Sequence, residues 1–378
     1  MKSKSKPGLA GKKSRRAFMQ KIGTAAAVSG LAATAGSAQQ TPANSGRGAA
    51  AGLPGAGYRQ ERDYIPQPGP EAKQPMPTIT LGKHKVGRLW LGVNGIGTHY
   101  SDPLSRTFRE WNTPEQLMRV LAHCEELGIN VRIQTQDQVN QYNKQYNGHM
   151  LFTCNASCPI LPDGSIGDPR PMLKKLAALG PIAIHYAASA ADDIWRRGQF
   201  NKVRDFCKIV QQEHGLLACV NGHIPETYMK MEDEGWGVDY YMTGLYLFGR
   251  THEEWEKLYE FNPDLAPLQV GQPPTEGNSQ YYGGEIAWVR GDPPKMLKVV
   301  KQVKTPCICF KILASGNLMA NAQPRLQQQI VEARYKYVFE NIKSTDGVVV
   351  AMWNKYEDQY ALNKEYVVKY NGLSIRKS

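Results

Sequence analysis

The chain has 378 residues, with 46 Lys+Arg against 34 Asp+Glu for a formal net charge of +12, and is 41% apolar and 21% charged. That is a globular composition, and it excludes a disordered or fibrous protein. Residues 1–38 hold eight cations (Lys2, Lys4, Lys6, Lys12, Lys13, Arg15, Arg16, Lys21) and no acid, so the remainder keeps only +4. A folded domain so nearly balanced lacks the basic stripe of a nucleic-acid binder. Seven cysteines in so long a chain exclude a fold built on disulfides.

Residues 1–38 run from a basic region through a weakly apolar stretch, Ile22 to Ala35, to small residues around Ala38. That order is the order of an export signal. Ser14-Arg15-Arg16-Ala17-Phe18-Met19-Gln20-Lys21 resembles a twin-arginine signal peptide, which implies the twin-arginine export machinery as a partner and a periplasmic or secreted destination. The apolar stretch, about 14 residues diluted by Gly, Ser and Thr, is too short to span a bilayer, so no stable membrane anchor is expected. Residues 39–76 are rich in Gly, Pro, Ala, Gln and Ser without apolar periodicity and read as a flexible linker. The folded domain is expected over 77–378.

Eight short apolar runs follow: Val86–Val93, Ile129–Gln134, Met150–Asn155, Ile182–Ala187, Leu216–Asn221, Val238–Tyr246, Cys307–Leu313 and Gly347–Trp353. Helical patterns fall between them at about 114–127, 170–179, 199–213, 225–234, 293–303, 324–342 and 357–369. Thr113-Pro114-Glu115 and Asp292-Pro293-Pro294 read as helix starts, and Leu127-Gly128 and Leu179-Gly180 as left-handed stops. Strands alternating with helices pair in parallel, and eight of them close into a (β/α)8 TIM barrel. An open doubly wound sheet normally carries G-x-G-x-x-G after its first strand; Gly92-Val93-Asn94-Gly95-Ile96-Gly97 has the wrong spacing. Residues 247–291 are too long for a plain connection and form an insertion at the C-terminal face, where a lid is one option.

The ordered series resembles the aldo/keto reductase superfamily over roughly 80–370. Arg88-Leu89-Trp90-Leu91-Gly92 is similar to its opening strand, Glu126-Leu127-Gly128-Ile129-Asn130 to the approach to its second, and Ile184-His185-Tyr186 to its fourth. Arg197-Gly198-Gln199-Phe200, Val220-Asn221-Gly222-His223-Ile224-Pro225-Glu226 and Lys311-Ile312-Leu313-Ala314-Ser315-Gly316-Asn317-Leu318 continue the likeness. The resemblance implies an oxidoreductase-like scaffold, an active-site histidine at His185 and a nicotinamide cofactor loop after the seventh strand. It also implies a tyrosine, a lysine and an aspartate for hydride transfer, and these are missing where the likeness places them. Gly128 to Thr135 contains no acid, Thr153 is followed by Cys154, and Tyr142 and Tyr146 have the wrong spacing.

Polar residues at strand ends are the candidates for a site on the C-terminal face. His185 and Lys311 are the catalytic candidates, because an imidazole titrates near neutrality and a lysine in an apolar run is desolvated into a base, a Schiff-base amine or an anion clamp. Asn94, Gln134, Asn155, Asn221, His223, Tyr246 and Trp353 are the substrate-binding candidates. Aromatic side chains among them, with Tyr186 and Trp288, suit either sugar stacking or packing. A metal at His185 and His223 needs a further ligand such as Glu226, Asp137 or His99. Cys154 has Cys158 or Cys124 as possible disulfide partners, whereas Cys307 and Cys309 share one strand face and read as core.

These residues point to an exported, aldo/keto-reductase-like enzyme acting on a small polar carbonyl or carbohydrate-type substrate. Oxidoreduction with tightly bound NADP and proton-transfer lyase or isomerase chemistry both remain open. A non-catalytic sugar- or solute-binding barrel and a metal-dependent isomerase-like enzyme are the other readings.

Overall fold

The computed structural model describes residues 64–92, 110–134, 137–248, 250, 267–270, 287–319 and 322–375. Residues 1–63, which include the expected signal peptide and most of the expected linker, lie outside them, as does Asn94. The eight barrel strands are β3 (Leu89–Leu91), β4 (Val131–Arg132), β5 (Leu151–Ala156), β6 (Ala183–Tyr186), β7 (Leu217–Gly222), β8 (Tyr240–Gly244), β11 (Cys307–Phe310) and β12 (Gly347–Val350). They close in the order β11-β12-β3-β4-β5-β6-β7-β8, every neighbour parallel. The chain is therefore a (β/α)8 TIM barrel.

Each expected strand falls in its apolar run, β5 and β7 ending one residue past it at Ala156 and Gly222, but the first run divides. Val86 belongs to an antiparallel hairpin, β1 (Thr78–Leu81) and β2 (His84–Gly87), and the barrel strand starts only at Leu89. Gly87 marks the division: a Cβ there would lie 2.5 Å from the Gly128 carbonyl oxygen, so only glycine allows the chain to turn in so close. The hairpin buries Ile79, Leu81 and Val86 against Trp90, Val131, Ile182, Tyr240, Ile308 and Val349, stoppering the amino-terminal end of the barrel.

The outer layer comprises α1 (Pro114–Glu126), α2 (Gln138–Tyr146), α3 (Arg170–Ala177), α4 (Ala188–Arg196), α5 (Asn201–His214), α6 (Pro225–Asp233), α7 (Asp292–Gln302), α8 (Pro324–Phe339) and α9 (Gln359–Tyr370). The cap expected at Thr113 forms, its hydroxyl accepting from Gln116 N at 3.1 Å. Two helices, α2 and α4, were not anticipated. The first buries only Val139 and Tyr142, and the second is nine residues long and opens on the small residues Ala188-Ser189-Ala190-Ala191, with Ile194 its one large buried apolar side chain. Within the expected linker, residues 64–76 pack on the barrel: Gly69 N donates to Glu365 at 2.7 Å, and Ala72 and Met76 are buried. The insertion contributes a two-stranded antiparallel ribbon, β9 (Pro267–Val270) and β10 (Ala287–Val289); 251–266 and 271–286 lie outside the described residues. No helix among the described residues is long and apolar enough to cross a membrane.

All seven cysteines are buried and none is in a disulfide, so neither pairing considered for Cys154 forms. Cys154 faces the helices from β5, and burial raises its thiol to about 12.

A buried ionic cluster ties the amino-terminal end of the barrel. Arg88 Nε donates to the Asp346 carbonyl at 2.6 Å, and its Nη2 to the Lys343 carbonyl at 2.9 Å. The Asp346 carboxylate accepts from Cys307 N at 2.8 Å and Lys343 N at 2.7 Å, and pairs with Lys343 Nζ at 3.0 Å. One acid thus joins the starts of β3, β11 and β12. Removing its side chain leaves the buried Lys343 ammonium without a carboxylate and two backbone N–H groups without an acceptor, so Asp346→Ala is expected to cost about 3–5 kcal/mol, read as a lowered urea midpoint.

Candidate active site

Side chains of a strand alternate between faces, so each barrel strand offers every second residue to the lumen. Toward the amino-terminal end these inward residues are apolar: Trp90, Val131, Ala183, Tyr240, Ile308 and Val349. Further along β5, β6 and β7 they become Thr153, Asn155, His185 and Asn221. Asn155 and His185 are direct cross-strand partners, and His185 is likewise paired with Cys219, two residues before Asn221. Four atoms of this patch, Thr153 Oγ1, Asn155 Oδ1, His185 Nδ1 and Asn221 Oδ1, have no hydrogen-bond partner among the described residues. Buried polar atoms are nearly always satisfied, so a cluster of orphans marks a place for polar groups from outside the chain.

His185 sits at the bottom of the patch, fully buried, with Nε2 2.5 Å from the Tyr240 hydroxyl and its ring edge-on to Tyr240. Burial lowers its pKa to about 3, so the imidazole stays neutral across the physiological range.

A second group forms where β7, β8 and β11 end. His223, one residue beyond β7, donates from Nδ1 to Asp192 Oδ2 at 2.7 Å and from its backbone N to Asp192 Oδ1 at 3.0 Å. Both side chains are buried. The carboxylate fixes the ring and its tautomer, which leaves Nε2 as an acceptor. Lys311 Nζ lies 3.2 Å from that nitrogen. Phe248 stacks on His223 at 4.6 Å and Phe310 meets it edge-on at 5.2 Å, while the Lys311 ammonium lies 4.3 Å and 4.9 Å from the same two ring centres. No ion pair links Lys311 to a carboxylate among the described residues. Burial lowers its pKa to about 7, with the more distant Asp192 opposing. Burial and the neighbouring lysine also lower His223, against the pull of Asp192.

The backbone is arranged for this. Lys311 has φ 59°, and Ala314 and Ser315 have φ 49° and 50°, three non-glycine residues in the left-handed region within one turn of chain. Such conformations cost of order 1 kcal/mol each and collect at functional loops. Gly244 leaves room for the imidazole: a Cβ there would fall 2.4 Å from His223 Cδ2 and 2.8 Å from Phe310 Cζ. Phe248 is held because Asp292 binds Arg250 in a buried ion pair and accepts from Leu247 N at 3.1 Å, stapling the two ends of the insertion.

Of the expected residues, His223 and Lys311 come together at the mouth, and Asn155, His185 and Asn221 share the lumen. Gln134 is exposed beyond β4, and Trp353 is half-buried at the rim with its ring edge-on to Tyr356. Tyr246 packs in the outer core, its hydroxyl accepting from Arg334 Nη2 at 3.0 Å. Asp192, Phe248 and Phe310 were not singled out from sequence; the one local hint of Asp192 is an acid interrupting the small-residue run that opens α4. For a metal, Glu226 and Asp137 are exposed away from the two histidines, His99 lies outside the described residues, and no group of three His, Cys, Asp or Glu forms among those described.

The hydride-transfer positions implied by the aldo/keto reductase likeness do not fit a nicotinamide. β4 turns Val131 and Ile133 inward, β5 turns Thr153 and Asn155 inward, and Tyr142 packs outside the barrel with its hydroxyl on Glu125 at 2.7 Å. No acid or cation stands at those positions among the described residues.

No family model matches the sequence, and no curated protein matches it. Among solved structures, the N-acetylmannosamine-6-phosphate 2-epimerase from Clostridium perfringens is similar at 13% identity and TM-score 0.39, over 74% of this chain and 91% of that one. A truncated 3-deoxy-D-arabino-heptulosonate 7-phosphate synthase from Thermotoga maritima is similar at 12% identity and TM-score 0.38, over 79% and 92%. Likeness at this level carries no argument about chemistry.

Gly244→Ala is expected to push the His223 ring off Asp192. The downfield Nδ1 proton resonance of His223 should disappear, with a stability loss of about 1–3 kcal/mol from overpacking.

Proposed function

We propose that this barrel is an enzyme that moves protons on a small polar carbonyl or carbohydrate-type substrate, in lyase or isomerase chemistry. The observation that carries the reading is the Asp192–His223–Lys311 line at the carboxyl-terminal mouth, where (β/α)8 enzymes place their catalytic groups. An amine with a pKa of about 7 is present in both protonation states at neutral pH, the condition for acid–base catalysis. His223 Nε2 is oriented by the carboxylate behind it to take a proton from the amine and return it. The orphaned oxygens of Asn155 and Asn221 accept from substrate hydroxyls, and neutral His185 supplies a fixed hydrogen-bonding group at the floor.

The scaffold is taken as aldo/keto-reductase-like with the hydride-transfer residues replaced. Export by the twin-arginine route to the periplasm or beyond belongs to the same proposal and rests on residues 1–38. A non-catalytic solute-binding barrel would use the same lumen but would have no use for an amine poised near neutrality.

The test is α-proton exchange of hydroxyl-bearing aldehydes and ketones in deuterium oxide, followed by NMR. With the free amine as base, the rate should rise with pH through about 7 and then level. Lys311→Met should lower it by on the order of 10²–10⁴. Exchange indifferent to that change defeats the reading.

A further inference from the structure

We propose that Lys311 is a covalent catalyst, its amine adding to the carbonyl carbon of a hydroxyl-bearing aldehyde or ketone to form an iminium with His223 carrying the proton; this rests on the proton-transfer reading of the same mouth. Three structural facts carry it. Lys311 Nζ touches an imidazole nitrogen whose tautomer makes it an acceptor, so an N–H of the amine points to His223 and its lone pair points elsewhere. Phe248 and Phe310 line the amine, and no carboxylate neutralises it by an ion pair among the described residues. The strained left-handed backbone at Lys311 fixes where the side chain leaves the strand, so the amine is placed by the fold rather than by a surface rotamer.

The step balances without an outside reagent. The Nζ lone pair forms the C–N bond as the carbonyl π pair moves to oxygen, which takes a proton from solvent. The added nitrogen, now cationic, gives one proton to His223 Nε2, and the resulting imidazolium is held by Asp192. His223 returns that proton to the carbinolamine hydroxyl, the C–O bond breaks, and water leaves. The nitrogen lone pair forms C=N, giving the protonated imine. The iminium then draws in the electrons of the adjacent C–H bond as His223 Nε2 takes that proton, leaving a neutral enamine; return of the proton to carbon restores the iminium, and addition of water with loss of one proton to solvent releases the free amine and the carbonyl. Asn221 lies on β7 in register with Met242 of β8, itself paired with Ile308 two residues before Phe310, so its orphaned Oδ1 sits in the layer beneath Lys311. An acceptor there selects substrates bearing a hydroxyl near the carbonyl.

The full chain is incubated at pH 7 with dihydroxyacetone and sodium cyanoborohydride, which reduces iminium ions, and peptide masses locate the adduct. At that pH about half of Lys311 is free amine, whereas an exposed lysine of pKa about 10.4 is free at roughly one part in 2,500. Lys311 is therefore expected to label on the order of 10²–10³ times faster than surface lysines. His223→Gln should slow that labelling at least tenfold with the circular dichroism spectrum unchanged. Labelling of Lys311 no faster than its surface counterparts, with α-proton exchange still dependent on Lys311, overturns the covalent step and leaves the acid–base reading intact. Slow labelling together with exchange that ignores Lys311 overturns both.

Discussion

A closed ring of parallel strands has no edge, and its interior is a fixed volume that every inward side chain must share. Here the hairpin β1–β2 stoppers one end of that volume with Ile79, Leu81 and Val86, so only the other end is left for polar chemistry. Trp90, Tyr240 and His185 are stacked edge to edge from the floor upward, and above them the lining changes from hydrocarbon to amide and imidazole. Satisfying those upper groups from within the ring would require partners that the inward positions do not supply. Their unmet hydrogen bonds among the described residues follow from that closure.

Desolvation then sorts the titratable groups by depth. His185, sealed between β5 and β7, is held neutral. Lys311, half-buried at the rim against two phenyl rings, is brought down to about 7. Two groups that a sequence would treat alike as buried bases are thus given different work: one is a fixed dipole and the other a group able to change charge. Asp192 acts on Lys311 through the tautomer of His223 and, from farther off, through its charge.

Rigid supports flank these residues. The Arg88–Asp346–Lys343 cluster locks the strand starts, and the Arg250–Asp292 pair locks the entry and exit of the insertion. Both lie outside the mouth, so they can carry the ionic cost of buried charge without perturbing Lys311. Phe248 shows the dependence most directly: it lies two residues before the buried arginine, and its ring covers the His223 imidazole.

The number of strands, their order and their parallel pairing were legible in the chain, because an eightfold alternation of apolar runs with capped helices has few solutions. Lys311 was legible too, since an amine inside Cys309-Phe310-Lys311-Ile312-Leu313 demands an explanation on burial alone. The hairpin was not: Val86 and Leu89 form one apolar run, and only the close approach of Gly87 to Gly128 separates them. Nor was α4, a nine-residue helix that opens on small residues. The partnership of Asp192, His223 and Lys311 spans separations of 31 and 88 residues, and such contacts leave no local pattern. Composition and periodicity fix which backbone elements form, because those depend on neighbours along the chain. Which strand ends meet, and hence which histidine is paired and which is merely buried, is decided only when the ring closes and sets the dielectric around each group.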